Sequence, residues 1–411
     1  MKRKIVGYIL LSLGPISWSF AQQINLPKVF ADAEKQMNVM LMEIPKGKAL
    51  RSESAAVTPG SAGQELVSPR TLADGKLKLV SSRDWTSGFF PGELWILYEL
   101  TGKITWKQEA EKYTANLEKE KTNAGTHDMG FKIYCSFGSG YKLVKDQHYK
   151  EVIILSAKTL STRFRPATGV IRSWDHSTNK WGYPVIIDNM MNLELLFVAT
   201  KLTGDSSFYK IAVSHANTTM KNHFRPDYSS YHVVDYDTVT GNVIKRNTHQ
   251  GYADESAWAR GQSWGLYGYT MCYRFTHDKR YLEQAEKIAL FILNHPNMPK
   301  DFVPYWDFNA PGIPNEVRDA SAAAILASGL YELSTYSGNG KQYREKADKI
   351  IESLTDNYRS PVGENSGFIL LHSTGSRPSN SEVDVPLSYA DYYYLEAVLR
   401  AKKLKEKKAL F

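Results

Sequence analysis

Residues 201–215, KLTGDSSFYKIAVSH, decide the fold. An apolar helix runs into Thr203, Gly204 stops it, and Asp205 caps the helix that follows. Tyr209 enters the second helix with Ala212 three positions on, so the aromatic and the small residue share a helix face. The same arrangement recurs at 99–113 (ELTGKITWKQEAEKY), 143–157 (LVKDQHYKEVIILSA), 274–288 (RFTHDKRYLEQAEKI) and 335–349 (TYSGNGKQYREKADK). Each is a helical hairpin with a short polar turn, and the stretches between hairpins are long and unequal in length. Further helices near 29–44 and 388–405 bring the expected number to about twelve. Alternating helices, with short turns on one side and long variable loops on the other, predict an all-α (α/α)6 toroid, a six-hairpin barrel. The long-loop side is then the functional face. Strand-like alternation is confined to about 231–236 and 368–372, enough for small hairpins. The segment 46–80 reads as a surface excursion between the first helix and the first complete hairpin. Cutting there would split the ring, so the expectation is one domain over 22–411.

The 411 residues are 42% apolar and 23% charged, a composition that excludes a disordered chain. No internal apolar run approaches the roughly 20 residues a membrane-spanning helix needs. Residues 1–21 differ from the rest. Lys2, Arg3 and Lys4 precede the apolar stretch Ile5–Leu13, and Ser19-Phe20-Ala21 offers a small-x-small cleavage site. This is the layout of a secretory signal peptide. Cleavage is expected near Gln22, with export across the inner membrane to the periplasm or onward out of the cell, and no cysteine follows the cleavage site to carry a lipoprotein anchor. Removing the leader lowers the formal charge of +8 by three. Part of the remainder lies in a lysine-rich tail from Arg400 to Lys408, read as a solvated helix end. No basic stripe interleaved with aromatics is present, which sets nucleic acid aside as a partner. Cys135 and Cys272 are the only cysteines. Both lie in apolar helical context and read as buried free thiols.

The long-loop side concentrates Trp, Asp, His and Gly in DWTSGFFPGELW (84–95), THDMGF (126–131), IIDNMMNLELL (186–196), THQGYADESAWARGQSWG (248–265) and RDASAAAILASG (318–329). Trp85, Trp174, Trp258, Trp264 and Trp306 fall at or before expected helix starts. Aromatic faces stack on sugar rings, although any single tryptophan can equally pack a core. Asp188 and Asp128 precede two successive inner helices. Each could simply cap its helix. As a pair at neighbouring entrances of one ring they point to a common centre, where paired carboxylates serve general acid/base chemistry.

The set W-x2-GFFPG-x-LW, HDMGF, DNMMNLELL, QGYADESAWARGQSWG, DASAAAILASGLYEL and SYADYYYLEA resembles family 88 glycoside hydrolases, the unsaturated glucuronyl hydrolases, from about Phe30 to Ala401. The sister unsaturated rhamnogalacturonyl hydrolases usually carry Asn where this chain has Gln262. The resemblance implies the (α/α)6 barrel, and as substrate the unsaturated uronic-acid oligosaccharides that polysaccharide lyases release. By motif it implies Asp188 as proton donor and water activator, and Asp128 as the essential second carboxylate. His232, Gln250, Arg260 and Trp264 are implied to line the substrate pocket, with Trp85 and Trp174 as further aromatic positions. In this chemistry an acid protonates C4 of an enol ether and water adds at C5. The acid must therefore be protonated near neutral pH, which calls for burial or a like charge beside it. No cofactor is needed, and no metal is expected, because the histidines show no ligand spacing. Two other readings stay open: a rhamnogalacturonan-directed or ordinary glycosidase on the same ring, and a non-catalytic envelope protein that binds carbohydrate. The sequence does not fix the oligomeric state.

Overall fold

The computed structural model describes residues 24–55 and 65–411. The expected leader and its cleavage site lie outside these residues. Twelve helices are found among them. Numbered in chain order, the outer helices are α1 (Leu26–Ala55), α3 (Ile104–Ala115), α5 (Gln147–Ser161), α7 (Ser206–Asn222), α9 (Lys279–Asn294) and α11 (Gly340–Asn357). The inner ones are α2 (Phe89–Thr101), α4, α6 (Leu193–Thr203), α8 (Ala259–Thr276), α10 (Ala320–Leu333) and α12 (Ser388–Lys405). Helix α4 is composite, a π-helical stretch Gly130–Gly138 running into an α-helical turn Ser139–Val144. Each inner helix packs on the next, and α12 packs on α2, which closes the ring. This is an (α/α)6 toroid.

Sequence explains the two layers. Every residue of α10, ASAAAILASGLYEL, is buried, as an inner helix surrounded by protein requires. In α9 the buried residues are Tyr281, Gln284, Ala285, Ile288, Ala289 and Ile292, one face at helical spacing. The short turns follow one recipe in four of the five hairpins. A left-handed residue ends the inner helix (Gly102, Lys145, Gly204 or His277), and in three of these an aspartate then caps the outer one. At Lys145 and His277 a side chain is carried into a conformation that costs about 1–2 kcal/mol. In α7 it is Phe208, not Tyr209, that takes the buried position beside Ala212.

Other expectations need correction. The first helix is longer than foreseen and contains Pro45. The excursion 46–80 is not all loop, because β1 (Leu66–Ala73) and β2 (Lys76–Ser81) form an antiparallel hairpin in it. A two-residue ladder joins β3 (Phe164–Arg165) to β4 (Val170–Ile171). Near 231–236 the hairpin is present, with β6 (Val233–Tyr236) between β5 (Pro184–Ile186) and β7 (Val243–Asn247). At 368–372 the expected strand is displaced to β8 (Ser373–Ser376), paired with β9 (Ser381–Val385). The amides of Ile369 and Leu370 donate instead to the buried Asp391. Arg400 is not part of a solvated tail. It is buried, bonds Tyr267 Oη and lies 3.3 Å from Glu332. Arg274 bridges Glu194 and Glu332 beside it, and the Phe411 ring stacks on the guanidinium of Arg274. This charge cluster, with Tyr267 and Tyr393, fills the barrel axis at the short-turn end.

Candidate active site

All six inner helices begin at the long-loop face, so their N-termini ring its centre. That orientation favours negative charge there. Asp188 sits in a 3-10 turn, Ile187–Asn192, that follows β5 and leads into α6. Its side chain caps nothing, and the Oδ2 atom has no hydrogen-bond partner. Asp128 precedes α4. Its carboxylate accepts from Thr126 Oγ1 at 2.8 Å and faces His127 Nε2 at 3.2 Å. Neither aspartate caps its helix, which removes the competing role that the sequence left open.

The two carboxylates are brought close from two sides. A Cβ on Gly130 would lie 2.6 Å from Asn192 Cα, and Phe131 N donates to Asn192 Oδ1. Only glycine lets the start of α4 approach the Asp188 turn this closely. On the other side runs the strip Arg172–Asp175. His127 N donates to Ser173 O, Ser173 N donates to Pro184 O, and Ile186 N donates to Ser173 Oγ. Arg163 holds the strip through Arg172 O and Asp175.

Asp188 is 9% exposed. Burial raises its pKa most and the Asp128 charge adds to the rise, while Arg260, its own backbone and the Trp264 indole oppose it. The result is a carboxyl pushed up to about 7. His232 approaches its Oδ2 with Nε2 at 3.7 Å. The Nδ1 atom of His232 accepts two backbone amides, from His249 and Gln250, so the neutral ring carries its proton on Nε2, facing Asp188. Burial, then repulsion from His249 and Arg260, holds this imidazole well below its ordinary pKa. Trp264 is fully buried and packs on Phe131 at 5.2 Å and on Tyr393 at 5.3 Å. It floors the pocket.

The other residues singled out from the sequence are arranged around this centre. Trp85 packs on Phe131 and Tyr389. Trp174 lies farther out, 5.7 Å from the His249 ring. Gln250 and Arg260 have their side chains turned to protein. Both donate to Gly375 O, and Arg260 also bonds Thr374 O and Asp319. Arg260 reaches Asp188 through its charge. Gln262 holds Ser230. Sequence reasoning passed over Asp319, which caps α10 with one oxygen and pairs Arg260 with the other. It also passed over Ser173, whose role lies in backbone pairing that no motif signals. His127 was in plain view beside Asp128 in THDMGF. Among the described residues no group of three or more His, Cys, Asp or Glu could hold a metal ion, and Cys135 and Cys272 are buried and free.

A buried carboxyl that titrates near neutrality, beside a second carboxylate in an aromatic-floored pocket of an (α/α)6 barrel, defines a class of sugar-cleaving enzymes. The chain belongs to glycosyl hydrolase family 88, whose profile matches residues 67–403, and it is a glycoside hydrolase. It is 54% identical over 336 residues, 81% of this chain and 84% of the relative, to an unsaturated glucuronyl hydrolase of Formosa agariphila. It is 33% identical over 347 residues, 83% of this chain and 87% of the relative, to an unsaturated chondroitin disaccharide hydrolase of Streptococcus pneumoniae. The crystal structure of an unsaturated glucuronyl hydrolase specific for heparin superimposes with a TM-score of 0.85 at 46% identity, covering 93% of this chain and 98% of that one.

Proposed function

We propose that this protein is an unsaturated glucuronyl hydrolase that removes the terminal 4,5-unsaturated uronic acid from oligosaccharides released by lyases from glycosaminoglycan-type polymers. The observation that carries this reading is the state of Asp188, a carboxyl poised to be protonated near pH 7 with one oxygen unengaged. An ordinary glycosidase acid gives its proton to a leaving oxygen. Here the C4=C5 double bond conjugated with the ring oxygen is the better acceptor. Asp188 donates its proton to C4, and positive charge develops at C5, shared with the ring oxygen. The Asp188 carboxylate then takes a proton from water as the water oxygen bonds to C5. The hemiketal opens by breaking the bond from C5 to the ring oxygen, which leaves a ketone at C5. The hemiacetal remaining at C1 then expels the second sugar as an alcohol.

His232, neutral and donating from Nε2, stabilises the Asp188 carboxylate once its proton has gone. Asp128 keeps the acid protonated beforehand. The inner-helix N-termini and the buried Arg260 charge suit the uronate carboxylate. From the leader expected at 1–21 we infer that the reaction takes place outside the inner membrane, in the periplasm. The test follows the ultraviolet absorbance of lyase-derived disaccharides. Absorbance is expected to fall with enzyme and to persist with the Asp188→Asn variant, and the matching saturated glucuronides are expected to remain intact. Equal turnover of saturated and unsaturated glucuronides would refute the mechanism.

A further inference from the structure

Arg260 works against the acid. It is buried, and its positive charge favours the ionised form of Asp188. It also starts close by, since a Cβ on the next residue, Gly261, would lie 3.2 Å from Ile187 Cγ2, beside Asp188. The guanidinium nevertheless turns into protein. Nη1 donates to Asp319 Oδ2 at 2.8 Å and to Thr374 O at 2.6 Å, and Nη2 donates to Gly375 O at 2.6 Å. Ser321 Oγ lies 3.5 Å from Nη1. Among these acceptors only Asp319 carries a charge. The Trp258 ring, 4.6 Å from the guanidinium carbon, and the Tyr389 ring, at 5.3 Å, flank it.

Asp319 is fixed independently of Arg260. Its Oδ1 accepts the amides of Ser321 and Ala322 at 3.1 and 3.4 Å, in the first turn of α10, together with Ser321 Oγ and Thr374 N. Its own amide donates to Pro304 O. That leaves Oδ2 for Arg260, and the whole residue is buried. A buried ion pair that loses one member leaves the other charge uncompensated. Besides Asp319, the carboxylate that favours the charged form of Arg260 is Asp188. The other titratable groups nearby are placed as follows. Asp128 and His232 face Asp188, with His249 behind His232. Tyr389 of α12 faces Arg260, and beyond it Glu382 is paired with Arg70.

We propose that Asp319 is a positioning residue that holds the Arg260 guanidinium back from Asp188, so that the site keeps a positive charge for the uronate carboxylate without an ion pair forming to the acid. The proposal rests on the role given to Asp188 above. It is tested with Asp319→Asn, which removes the charge but leaves a side chain able to cap α10, and with Asp319→Ser, which caps in another way. In either variant the alkaline limb of the pH–rate profile on an unsaturated disaccharide is expected to move to lower pH by about one unit, because a cation brought up to a carboxyl lowers its pKa by about 1–3 units. A residue that only caps a helix would lower kcat and leave the limb in place. In the Arg260→Met background the same substitutions should move the limb less than about half as far. A limb that stays put or rises in the single variants overturns the proposal. So does a limb that moves equally in both backgrounds, since Asp319 then acts without Arg260. Failure of the wild type on every unsaturated disaccharide would refute the function itself, and the titration of the Asp188 carboxyl, followed by carbon NMR in the ligand-free protein and its variants, would still read the restraint.

Discussion

Replacing Asp188 with Asn should abolish turnover and at the same time stabilise the protein, by an amount that depends on pH. An aspartate titrates at 3.8 when unhindered and Asp188 at about 7 in the fold. Between these values the unfolded chain has released a proton that the native protein still holds. Stability is therefore lost as pH rises above 4, and the loss is complete once pH passes 7. At about 1.4 kcal/mol per pKa unit, holding the ionised carboxylate in its pocket at pH 8.5 costs about 4 kcal/mol. At pH 5 the cost is about 2 kcal/mol, because the native protein still holds its proton and only the interval of about 1.2 pH units above 3.8 has been crossed. The neutral amide of the Asp188→Asn variant carries no such cost at either pH. The variant should thus exceed the wild type in stability by about 2–3 kcal/mol more at pH 8.5 than at pH 5. In a chain of this size that is a few degrees in Tm. Calorimetry of both proteins at the two pH values measures the difference directly. An advantage that is equal at both pH values, or larger at pH 5, would refute the raised pKa and with it the assignment of Asp188 as the acid.

Asp128→Asn removes the charge that helps keep Asp188 protonated, so the alkaline limb of the pH–rate profile should move to lower pH. Arg260→Met removes a charge of the opposite sign, so the same limb should move to higher pH, and Arg260→Lys should leave it near its wild-type position. Gly130→Ala forces the α4 entrance away from the Asp188 turn, and a displacement near 1 Å should cost about 10²-fold in kcat. Burial raises both thiols, so a thiol reagent should titrate neither cysteine in the folded protein and both after denaturation.

The ring was legible because its signal is local. Most of the short turns write their own stop, three of them also write their start, and the aromatic–alanine spacing recurs in four of the five hairpins. Asp188 and Asp128 were legible for a related reason, since each stands at the entrance of an apolar helix. What makes them a pair was not, because it depends on Gly130 against Asn192 and on Ser173 bonding to both sides. Those contacts join residues remote in sequence. The side chain of Arg260 misled for the same reason. Its motif places it in the pocket, and only the approach of Thr374 and Gly375, more than a hundred residues later, turns its guanidinium toward protein. The β1–β2 hairpin was missed because the Ser-, Gly- and Pro-rich stretch before it coloured the reading of the whole segment, and its strands are held by packing on the ring.

The plug of Tyr393, Tyr267, Arg400 and Glu332 beneath Trp264 has a bearing on traffic. A barrel sealed at one end is a cul-de-sac with one doorway. A polymer cannot thread it, so the enzyme trims termini and leaves interior linkages alone. With the uronate seated on Asp188 and the second sugar toward the doorway, the second sugar should leave first and the opened uronate last. The uronate product should therefore compete with incoming substrate for the empty pocket, while the second sugar should meet an enzyme that still holds its partner.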